Sequence, residues 1–388
     1  MKVLHVSPSF YPATYYGGPI QSTYALCNAL ATIPDIELRV LTTDTAGLRR
    51  RERLRVEEFP TRLPAGYDVY YCQRTLGADV APGLLVRLWS MIRWADVVHL
   101  TAVYSPPTIP TLMLCRLLRK PVVWSTRGAL QSWSKRSGAL TKTVWDKVCN
   151  SLCQTDRVVL HATSEAESSE SVERIQNARA VVIPNGIDLP EVNGNQRNVN
   201  SDLRLLYLGR LHPIKGVENL LRAVAKLPES VKLSICGDGD AVYREQLETL
   251  TTELGLSPQV TFYGHVEGET KERYFREADW CVVPSFQENF CMVVAEALAR
   301  GVPVIASRGT PWTRVEEVGC GLWVNNDEAS LADAITRAAG MPREEMSRRG
   351  RDWMAHEFSW QLIAEQMTRQ YDGLIESSRQ VAKAERIA

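Results

Sequence analysis

Short runs of consecutive apolar residues recur along the chain, and longer stretches with apolar residues at helical spacing separate them. In the first half these runs are rich in β-branched residues and are apolar in succession rather than in alternation. Successive apolar residues are typical of strands buried on both faces, as in a parallel sheet. The pattern therefore predicts an α/β, doubly wound fold. The candidate strands are KVLHVSP, ELRVLTT, DVVHL, PVVWST, RVVLHAT and AVVIP.

The alternation stops at segment 186–202, which is rich in Asn, Gly and Pro, as linkers are, and then it resumes. We predict an N-terminal domain over 1–185 and a second Rossmann-like domain over 203–355, with a cleft between the two. A helical segment over 356–388 is predicted to pack at the domain junction. The candidate strands of the second domain are LRLLYLG, VKLSICG, VTFYG, WCVVPS, PVIAS and GLWV.

The composition fits a folded protein of this size. The chain has 388 residues, 45% of them hydrophobic and 23% charged, which suits two globular domains. No apolar run approaches the roughly 18 residues that span a membrane, and residues 1–8 resemble a strand more than a secretion signal. We therefore expect a cytoplasmic protein. The nine cysteines lack metal-ligand spacing, so reduced core thiols and no metal site are expected.

Charge is unevenly distributed, although the net charge is zero. Residues 1–185 contain 22 Lys and Arg against 15 Asp and Glu, and the remainder has the opposite excess. Segment 84–94 is weakly basic and also contains Trp89 and Trp94. Two interpretations stay open: a helix resting on an anionic membrane at its inner face, and a core-packed helix with solvated arginines, which the pattern favours.

A glycine pair, Gly17-Gly18, lies between the first predicted strand and the first predicted helix. Glycine lets backbone N–H groups approach phosphate oxygens, and the N-terminus of a helix is electropositive. The spacing differs from the Gly-x-Gly-x-x-Gly pattern of dinucleotide binders. The later Gly237-Asp238-Gly239 also departs from that pattern, because Val242 occupies the third glycine position. Dehydrogenase chemistry is therefore disfavoured.

The second domain begins with a strand that runs into Gly209-Arg210 and then Lys215-Gly216. In a parallel sheet, ligands lie beyond the carboxyl ends of the strands. Arg210 presents a planar fork of donors and Lys215 a compact charge, which together suit a diphosphate. We predict a site for the diphosphate of a nucleotide at this edge.

Two carboxylates, Glu288 and Glu296, follow the predicted strand WCVVPS with eight-residue spacing. We predict that both lie at the start of one helix, where they would be about 80° apart in rotation and about 12 Å apart along the axis. One ligand could then meet both. Glu296 lies within an apolar stretch, where a charged group needs a partner, so it is predicted to bind a hydroxyl-rich ligand or a cation.

These features together resemble the retaining glycosyltransferases of family 4, which have the GT-B fold, and the resemblance spans essentially the whole chain. It implies two Rossmann-like domains that face a central cleft, with the acceptor bound on the N-terminal side. The features are the Gly17-Gly18 loop, Gly209-Arg210 with Lys215-Gly216, the pair Glu288 and Glu296, and the segment IPNGID.

The resemblance also implies roles for residues. Arg210 and Lys215 would neutralise the donor diphosphate, and Gly18 would supply a backbone N–H group. Glu296 would bind the ribose hydroxyls, while Glu288 and the backbone of 289–291 would hold the transferred sugar. The other residues expected around the donor are Gly17, Gly209, Gly237, Gly239, Val266, Asn289, Phe290 and Cys291.

The chain departs from the family pattern at two places. Many members have His-Gly after the strand that corresponds to PVVWST, whereas this chain has Arg127-Gly128. Arginine cannot shuttle a proton at neutral pH, but it can stabilise a departing phosphate. The following segment, 128–142, resembles that of bacterial polysaccharide-assembly members. In addition, Cys291 replaces a residue that is often Gly. The predicted catalytic residues are Arg127, Arg210, Lys215 and Glu288.

The resemblance implies a metal-independent, retaining transfer of a hexose-type sugar from a nucleotide-diphosphate sugar to a glycan or lipid-linked glycan, in the synthesis of a cell-surface polysaccharide such as lipopolysaccharide. No cofactor and no nucleic-acid partner are expected. Two alternatives remain open: a nucleotide-sugar epimerase or hydrolase on the same fold, and a non-catalytic protein that binds nucleotide sugars.

Overall fold

The computed structural model of the chain contains two compact units. The first comprises Met1–Gly186 with Trp360–Ala388, and the second comprises Ile187–Ser359. The structure describes residues 1–13, 17–46, 53–56, 58–75, 80–131, 139–153, 156–191 and 202–387. Most of the predicted linker, 192–201, lies outside the described residues.

The first unit contains an eight-stranded sheet with the order β3-β4-β2-β1-β5-β6-β7-β8. All pairings are parallel except that of the short edge strand β3, which is antiparallel to β4. The strand order reverses between β1 and β5. The strands are β1 Lys2–Val6, β2 Glu37–Thr43, β3 Thr61–Arg62, β4 Asp68–Cys72, β5 Val97–Thr101, β6 Val122–Ser125, β7 Val158–Ala162 and β8 Arg179–Val182.

Helices cover this sheet with two apolar clusters. One cluster packs α2, α3 and α4 against the sheet, and the other packs α1 and α13. Both clusters form because the strands are apolar on both faces of the sheet. The helices are α1 Gly18–Ala31, α2 Pro82–Trp94, α3 Thr108–Leu117, α4 Ala139–Leu152, α5 Glu165–Arg174 and α13 Trp360–Ile387.

The second unit has a six-stranded, fully parallel sheet with the order β11-β10-β9-β12-β13-β14. The strands are β9 Leu203–Leu208, β10 Val231–Cys236, β11 Val260–Gly264, β12 Trp280–Val283, β13 Val304–Ser307 and β14 Gly321–Val324. The helices are α6 Val217–Val224, α7 Ala241–Glu253, α8 Gly268–Glu277, α9 Met292–Ala299, α10 Val315–Val318, α11 Glu328–Ala338 and α12 Arg343–Glu357, with a 3-10 turn at Pro213–Lys215.

The predicted architecture is confirmed: each unit is a Rossmann-like α/β sandwich, and every predicted strand is present. The prediction missed β3 and β4. The strand β4, Asp68–Cys72, alternates exposure along its length and has strand neighbours on both sides, so it lacks the continuous apolar signal of the central strands.

All nine cysteines are buried and unpaired. Within the described residues, no helix is both long and apolar enough to cross a bilayer. Helix α13, which begins at Trp360, belongs to the first unit and buries Ile363, Met367 and Tyr371 in its core. The predicted segment 356–388 therefore starts within α12, and its packing at the domain junction stays a prediction.

A chain of hydrogen bonds crosses the buried carboxyl ends of β5, β6 and β7. The Tyr371 hydroxyl lies 2.5 Å from Nδ1 of His99, and Ser125 Oγ lies 2.6 Å from both His99 Nε2 and His161 Nδ1. His161 Nε2 faces the Ile183 carbonyl oxygen at 2.9 Å. Because that carbonyl only accepts, the protons run in one direction from Tyr371 to Ile183, and each histidine can be neutral.

His5 extends this polar layer onto β1. Its ring stacks on His99 at 4.6 Å, and its Nε2 lies 2.9 Å from Thr101 Oγ1. Burial, reinforced by the nearby Arg127 cation, lowers the pKa of His5 and that of His161 to about 3. Neutral imidazole is therefore the folded form at neutral pH.

We predict that stability falls as the pH is lowered from 6.5 toward 5. The unfolded histidines bind protons below about pH 6.5, whereas the folded ones do not until about pH 3. Each therefore costs up to about 1.4 kcal/mol per pH unit in this window. Urea unfolding at several pH values measures the slope. A pH-independent stability in the wild type would contradict the prediction.

Candidate functional site

The strand order of the second sheet reverses between β9 and β12. Helices after the strands on either side of such a switch point leave a crevice beyond the carboxyl ends, where ligands bind. Residues 209–216 follow β9, and residues 284–291 follow β12. Arg210, Lys215 and Glu288, which are predicted to bind the diphosphate and the sugar, therefore lie on the two loops that border this crevice.

The loop after β9 carries both predicted cations. Arg210 is exposed, and its carbonyl oxygen accepts a hydrogen bond of 3.1 Å from the Tyr207 hydroxyl. His212 caps the 3-10 turn that ends at Lys215. Partial burial lowers the pKa of His212, and the positive charges of Arg210 and Lys215 lower it further. The loop therefore concentrates positive charge at one strand end.

Lys215 forms an ion pair with Glu288. Its Nζ lies 2.5 Å from Oε1 of Glu288, and the Ser285 hydroxyl donates to the same oxygen at 2.7 Å. The two side chains are only 22% and 12% exposed. The backbone N–H of Phe286 also donates to the Ile214 carbonyl oxygen at 2.8 Å. The loops after β9 and β12 are thus held together by charge and by backbone.

The prediction that Glu288 and Glu296 share a helix is wrong. Helix α9 begins at Met292, and Glu288 lies in the loop before it. The N–H of Glu288 donates to the Gly309 carbonyl oxygen at 2.8 Å, and Cys291 adopts a left-handed conformation with φ of 67°. These tertiary contacts override the helical tendency of the segment, so only Glu296 projects from the helix.

The loop ends in a set of backbone donors that are free of backbone partners. Among the described residues, the N–H groups of Asn289, Phe290 and Cys291 donate to no backbone oxygen. The Phe290 carbonyl oxygen, in contrast, accepts from the Trp312 indole at 2.6 Å, which anchors the loop. The side-chain oxygen of Asn289 is buried and has no donor in this part of the chain. A ligand with hydroxyl groups would satisfy these atoms.

Glu296 faces a cation that the prediction did not name. Lys271 of α8 donates to Oε1 of Glu296 at 2.7 Å. The two side chains are 20% and 14% exposed, so water screens the pair only in part. The pair orients a carboxylate in the middle of α9.

The glycine loops after β9 and β10 approach each other closely. Gly209 N–H donates to the Cys236 carbonyl oxygen at 2.9 Å, and Leu211 N–H donates to that of Asp238 at the same distance. A Cβ at Gly237 would collide with the Gly209 carbonyl, so only glycine fits there. Gly239 pairs with Leu211, and Val266 follows β11 at the neighbouring strand end.

An Asp-x-Asp spacing, which metal-bridged donor sites often use, occurs at Asp238 and Asp240. Asp240 caps α7 through bonds from the N–H groups of Val242 and Tyr243. Asp238 accepts from the N–H of Gly239 at 3.1 Å and lies 3.8 Å from Arg244. Within the described ranges, no group of three side chains is placed to hold a metal.

In the first unit, Gly17 and Gly18 lie where the loop after β1 enters α1. Gly17 is the N-cap residue with φ of 67°, and Gly18 is the first residue of the helix. A Cβ at Gly17 would have open space around it, so the positive φ alone explains the glycine. Residues 14–16, which precede the pair, lie outside the described residues.

Arg127 follows β6 and is also left-handed, with φ of 51°. Its Nη1 donates to Asn185 Oδ1 at 2.6 Å, while its Nε is buried without a partner in the described chain. Burial lowers the pKa of Arg127, although the group remains a cation at neutral pH. Residues 132–138, part of the segment that resembles polysaccharide-assembly members, lie outside the described residues.

Comparison with known families matches both units. Residues 16–191 match the model described as Glycosyltransferase Family 4, and residues 191–353 match Glycosyl transferases group 1. The chain belongs to glycosyltransferase family 4. The border between the two matches falls close to the division between the units at Gly186 and Ile187.

Curated relatives of this family 4 chain match about half of it. D-inositol 3-phosphate glycosyltransferase of Mycolicibacterium smegmatis is 31% identical over 220 residues, which are 53% of this chain and 50% of the relative. An uncharacterized glycosyltransferase of Methanocaldococcus jannaschii is 30% identical over 258 residues, 58% of this chain and 65% of the relative. The chain thus spans about half to two thirds of the length of these relatives.

Solved structures share the GT-B fold of the family. Sucrose-phosphate synthase of Thermosynechococcus elongatus superposes with a TM-score of 0.74 at 21% identity, covering 97% of this chain and all of that one. Anabaena HepE in complex with UDP superposes with a TM-score of 0.74 at 18% identity, covering 96% of this chain and all of that one.

Several contacts of the predicted residues were not predicted in either unit of this family 4 chain. Lys271 and Ser285 orient the two glutamates, and Asn185 holds the guanidinium of Arg127. Asn185 had a visible signal, since it belongs to the IPNGID segment. Lys271 had none, because its partner lies 25 residues away on another helix.

We predict that Lys271→Met lowers the free energy of unfolding by about 1–3 kcal/mol, because it leaves the largely buried carboxylate of Glu296 without its cation. Arg348→Met is the matched control, since it breaks an exposed pair with Asp352 and should change stability little. Urea unfolding of the two variants at pH 7 measures the difference. Equal stability of both variants would show that the Lys271 pair contributes nothing.

Proposed function

We propose that the chain is a retaining glycosyltransferase that moves a hexose-type sugar from a nucleoside-diphosphate sugar to a glycan or a lipid-linked glycan. Family membership supports the reaction class. The observation that carries the proposal is the crevice of the second unit, where Lys215 pairs with Glu288 beside a row of free amides at the topological switch point. Arg210 lies on the same loop as Lys215.

The chemistry of the transfer requires stabilisation of two charges. The sugar becomes oxocarbenium-like, and negative charge develops on the departing phosphate. Arg210 and Lys215, with the N-terminal amides of α1 and the guanidinium of Arg127, are suited to the phosphate charge without a metal. Glu288 and the amides of 289–291 suit the hydroxyls of the sugar, and Glu296 suits the ribose. The proposed retention proceeds by same-face substitution, in which the leaving phosphate accepts the proton of the acceptor.

The donor is the first unknown to resolve. The fold is shared with HepE structures that contain UDP or UDP-glucose, so UDP-hexoses head a panel that also includes GDP- and ADP-hexoses. A bound donor stabilises the folded state in proportion to its affinity, which thermal unfolding detects. Release of nucleoside diphosphate without an acceptor would favour an epimerase or hydrolase. Binding without turnover on any lipid-linked glycan would favour a non-catalytic protein.

We predict that Lys215→Ala and Arg210→Ala each lower kcat/KM with the preferred donor by about 100-fold or more, because each removes a cation from the developing phosphate charge. Lys226→Ala, which breaks an exposed pair with Glu328 in the same unit, is the control and should retain activity. Both arginine and lysine variants should unfold cooperatively. Near-normal turnover in both would refute the diphosphate assignment. Added EDTA should leave the wild-type rate unchanged.

The first unit carries an exposed apolar surface that suits a lipid-linked acceptor. Helices α2, α3 and α4 lie side by side in one layer. Each exposes large apolar side chains with four-residue spacing, which places them on one outward stripe of the helix. Val86 lies next to the stripe of α2. Leu140 and Val144 are 87% and 63% exposed. The full set is Leu85, Val86 and Trp89 on α2, Met113 and Leu117 on α3, and Leu140, Val144 and Val148 on α4.

The charge of this three-helix surface favours an anionic bilayer as its partner. Arg93, Arg116 and Lys147 are exposed on it, and its one acidic residue, Asp146, is paired with Arg174. A second copy of the chain would set this basic surface against itself in a symmetric dimer, with like charges opposed. Anionic head groups would instead neutralise the cations while the apolar stripes enter the interface. Segment 84–94 is therefore both core-packed, through Leu88, and exposed on its outer face.

We predict that the protein floats with vesicles containing anionic phosphatidylglycerol and much less with pure phosphatidylcholine. Leu140→Glu with Val144→Glu should reduce binding at least tenfold, and Arg93→Gln with Lys147→Gln should make the remaining binding less sensitive to salt. Val242→Glu with Lys226→Gln on the second unit is the matched control. Equal flotation with both lipids would refute the proposal. Concentration-dependent dimers without vesicles would identify a second copy as the partner.

A further inference from the structure

Glu167, on the first turn of α5, has a fully buried carboxylate that accepts four hydrogen bonds. Its Oε1 accepts from the Thr126 hydroxyl at 2.9 Å and from the Gly128 N–H at 2.5 Å. Its Oε2 accepts from the N–H and the hydroxyl of Thr163 at 2.7 and 2.9 Å. Each oxygen thus faces two donors, so an ionised carboxylate satisfies this pocket and an amide cannot.

The donors of Oε1 flank Arg127 on both sides. Arg127 and Gly128 have φ of 51° and 74°, so two successive residues are left-handed. A non-glycine residue in this conformation costs roughly 1 kcal/mol, and it persists only where neighbouring contacts hold it. Glu167 supplies those contacts through the side chain of Thr126 and the backbone of Gly128. The direction in which Arg127 leaves the backbone therefore depends on Glu167.

The charge of Glu167 acts on Arg127 as well. Burial lowers the pKa of the guanidinium, and Glu167 is the strongest influence in the opposite direction. The carboxylate oxygens are occupied by other donors, so they stabilise the cation from a distance without pairing with it. Within the described residues, the guanidinium donates one hydrogen bond, to Oδ1 of Asn185. Arg127 is therefore a charged group that keeps hydrogen-bonding capacity.

We propose that Glu167 is a positioning residue for Arg127, which holds the left-handed turn at 126–128 so that the guanidinium is presented, charged and without a carboxylate partner, to the departing phosphate. The inference rests on the proposed function, because it assigns Arg127 a role in transfer. It adds a residue on α5 that contacts no reacting atom and acts through the turn alone.

The test compares Glu167→Gln with Arg127→Ala and with the double variant. Glu167→Gln should lower kcat for sugar transfer at least tenfold, with KM for the nucleotide sugar changed less than threefold, because the departing phosphate gains charge only in the transition state. In the Arg127→Ala background, Glu167→Gln should lower kcat less than twofold further. Glu165→Gln, an exposed charge on the same helix turn, should leave kcat unchanged.

The outcomes distinguish a failure of the positioning role of Glu167 from a failure of the proposed transferase function. Transfer by the wild type tests the function. If Arg127→Ala lowers kcat and Glu167→Gln does not, or if the two losses multiply in the double variant, the positioning role is wrong. A normal kcat in Arg127→Ala would show that Arg127 has no role in transfer and that Glu167 therefore has no positioning role. If Glu167→Gln fails to fold, Thr126→Val, which deletes one donor to the carboxylate, should lower kcat at least threefold, and an unchanged kcat would overturn the proposal.

Discussion

The ion pair between Lys215 and Glu288 joins the two strand ends on which the second unit depends. The strands β9 and β12 are neighbours because the order of the sheet reverses between them, and their loops therefore border the same crevice. Without a contact between them, two long loops at such a point would be free to separate. The pair at 2.5 Å, with the backbone bond from Phe286 to Ile214, fixes their distance. The free amides that follow Glu288 are held in place by the same contacts.

The first unit meets a different constraint, since its central strands carry polar side chains at their buried ends. Four strands bring three histidines, a serine and several threonines together with no access to water. The one-way chain from Tyr371 to Ile183 satisfies His99, Ser125 and His161 while leaving both histidines neutral. Because these histidines are neutral, the charged groups nearby are Arg127 and its counter-charge Glu167. The polar layer thus concentrates charge at the turn after β6.

Most of the fold could be predicted because the central strands have consecutive apolar residues, a signal that is local in sequence. The strand β4 was not predicted because it alternates exposure along its length. The start of α9 was predicted wrongly because contacts from Gly309 and Trp312 decide it. Of the site, the glycine loops and the two cations were visible as motifs. Asn185 was visible as part of the IPNGID segment, but its contact with Arg127 was not, and Lys271 and Glu167 had no motif at all. Each of these contacts joins residues that are 25 to 58 positions apart.

The cations of the two units differ in whether they are ion-paired, and this difference affects how each would bind a phosphate. Lys215 is already paired, so on the proposed assignment an incoming diphosphate must compete with Glu288 for it, and Glu288 must find new donors as it is released. The hydroxyls of a sugar are such donors, so binding of the two halves of the donor would be coupled at this pair. Arg127 has no carboxylate partner among the described contacts. Its electrostatic contribution would therefore need no bond to break, which suits a group whose interaction strengthens only as the phosphate departs.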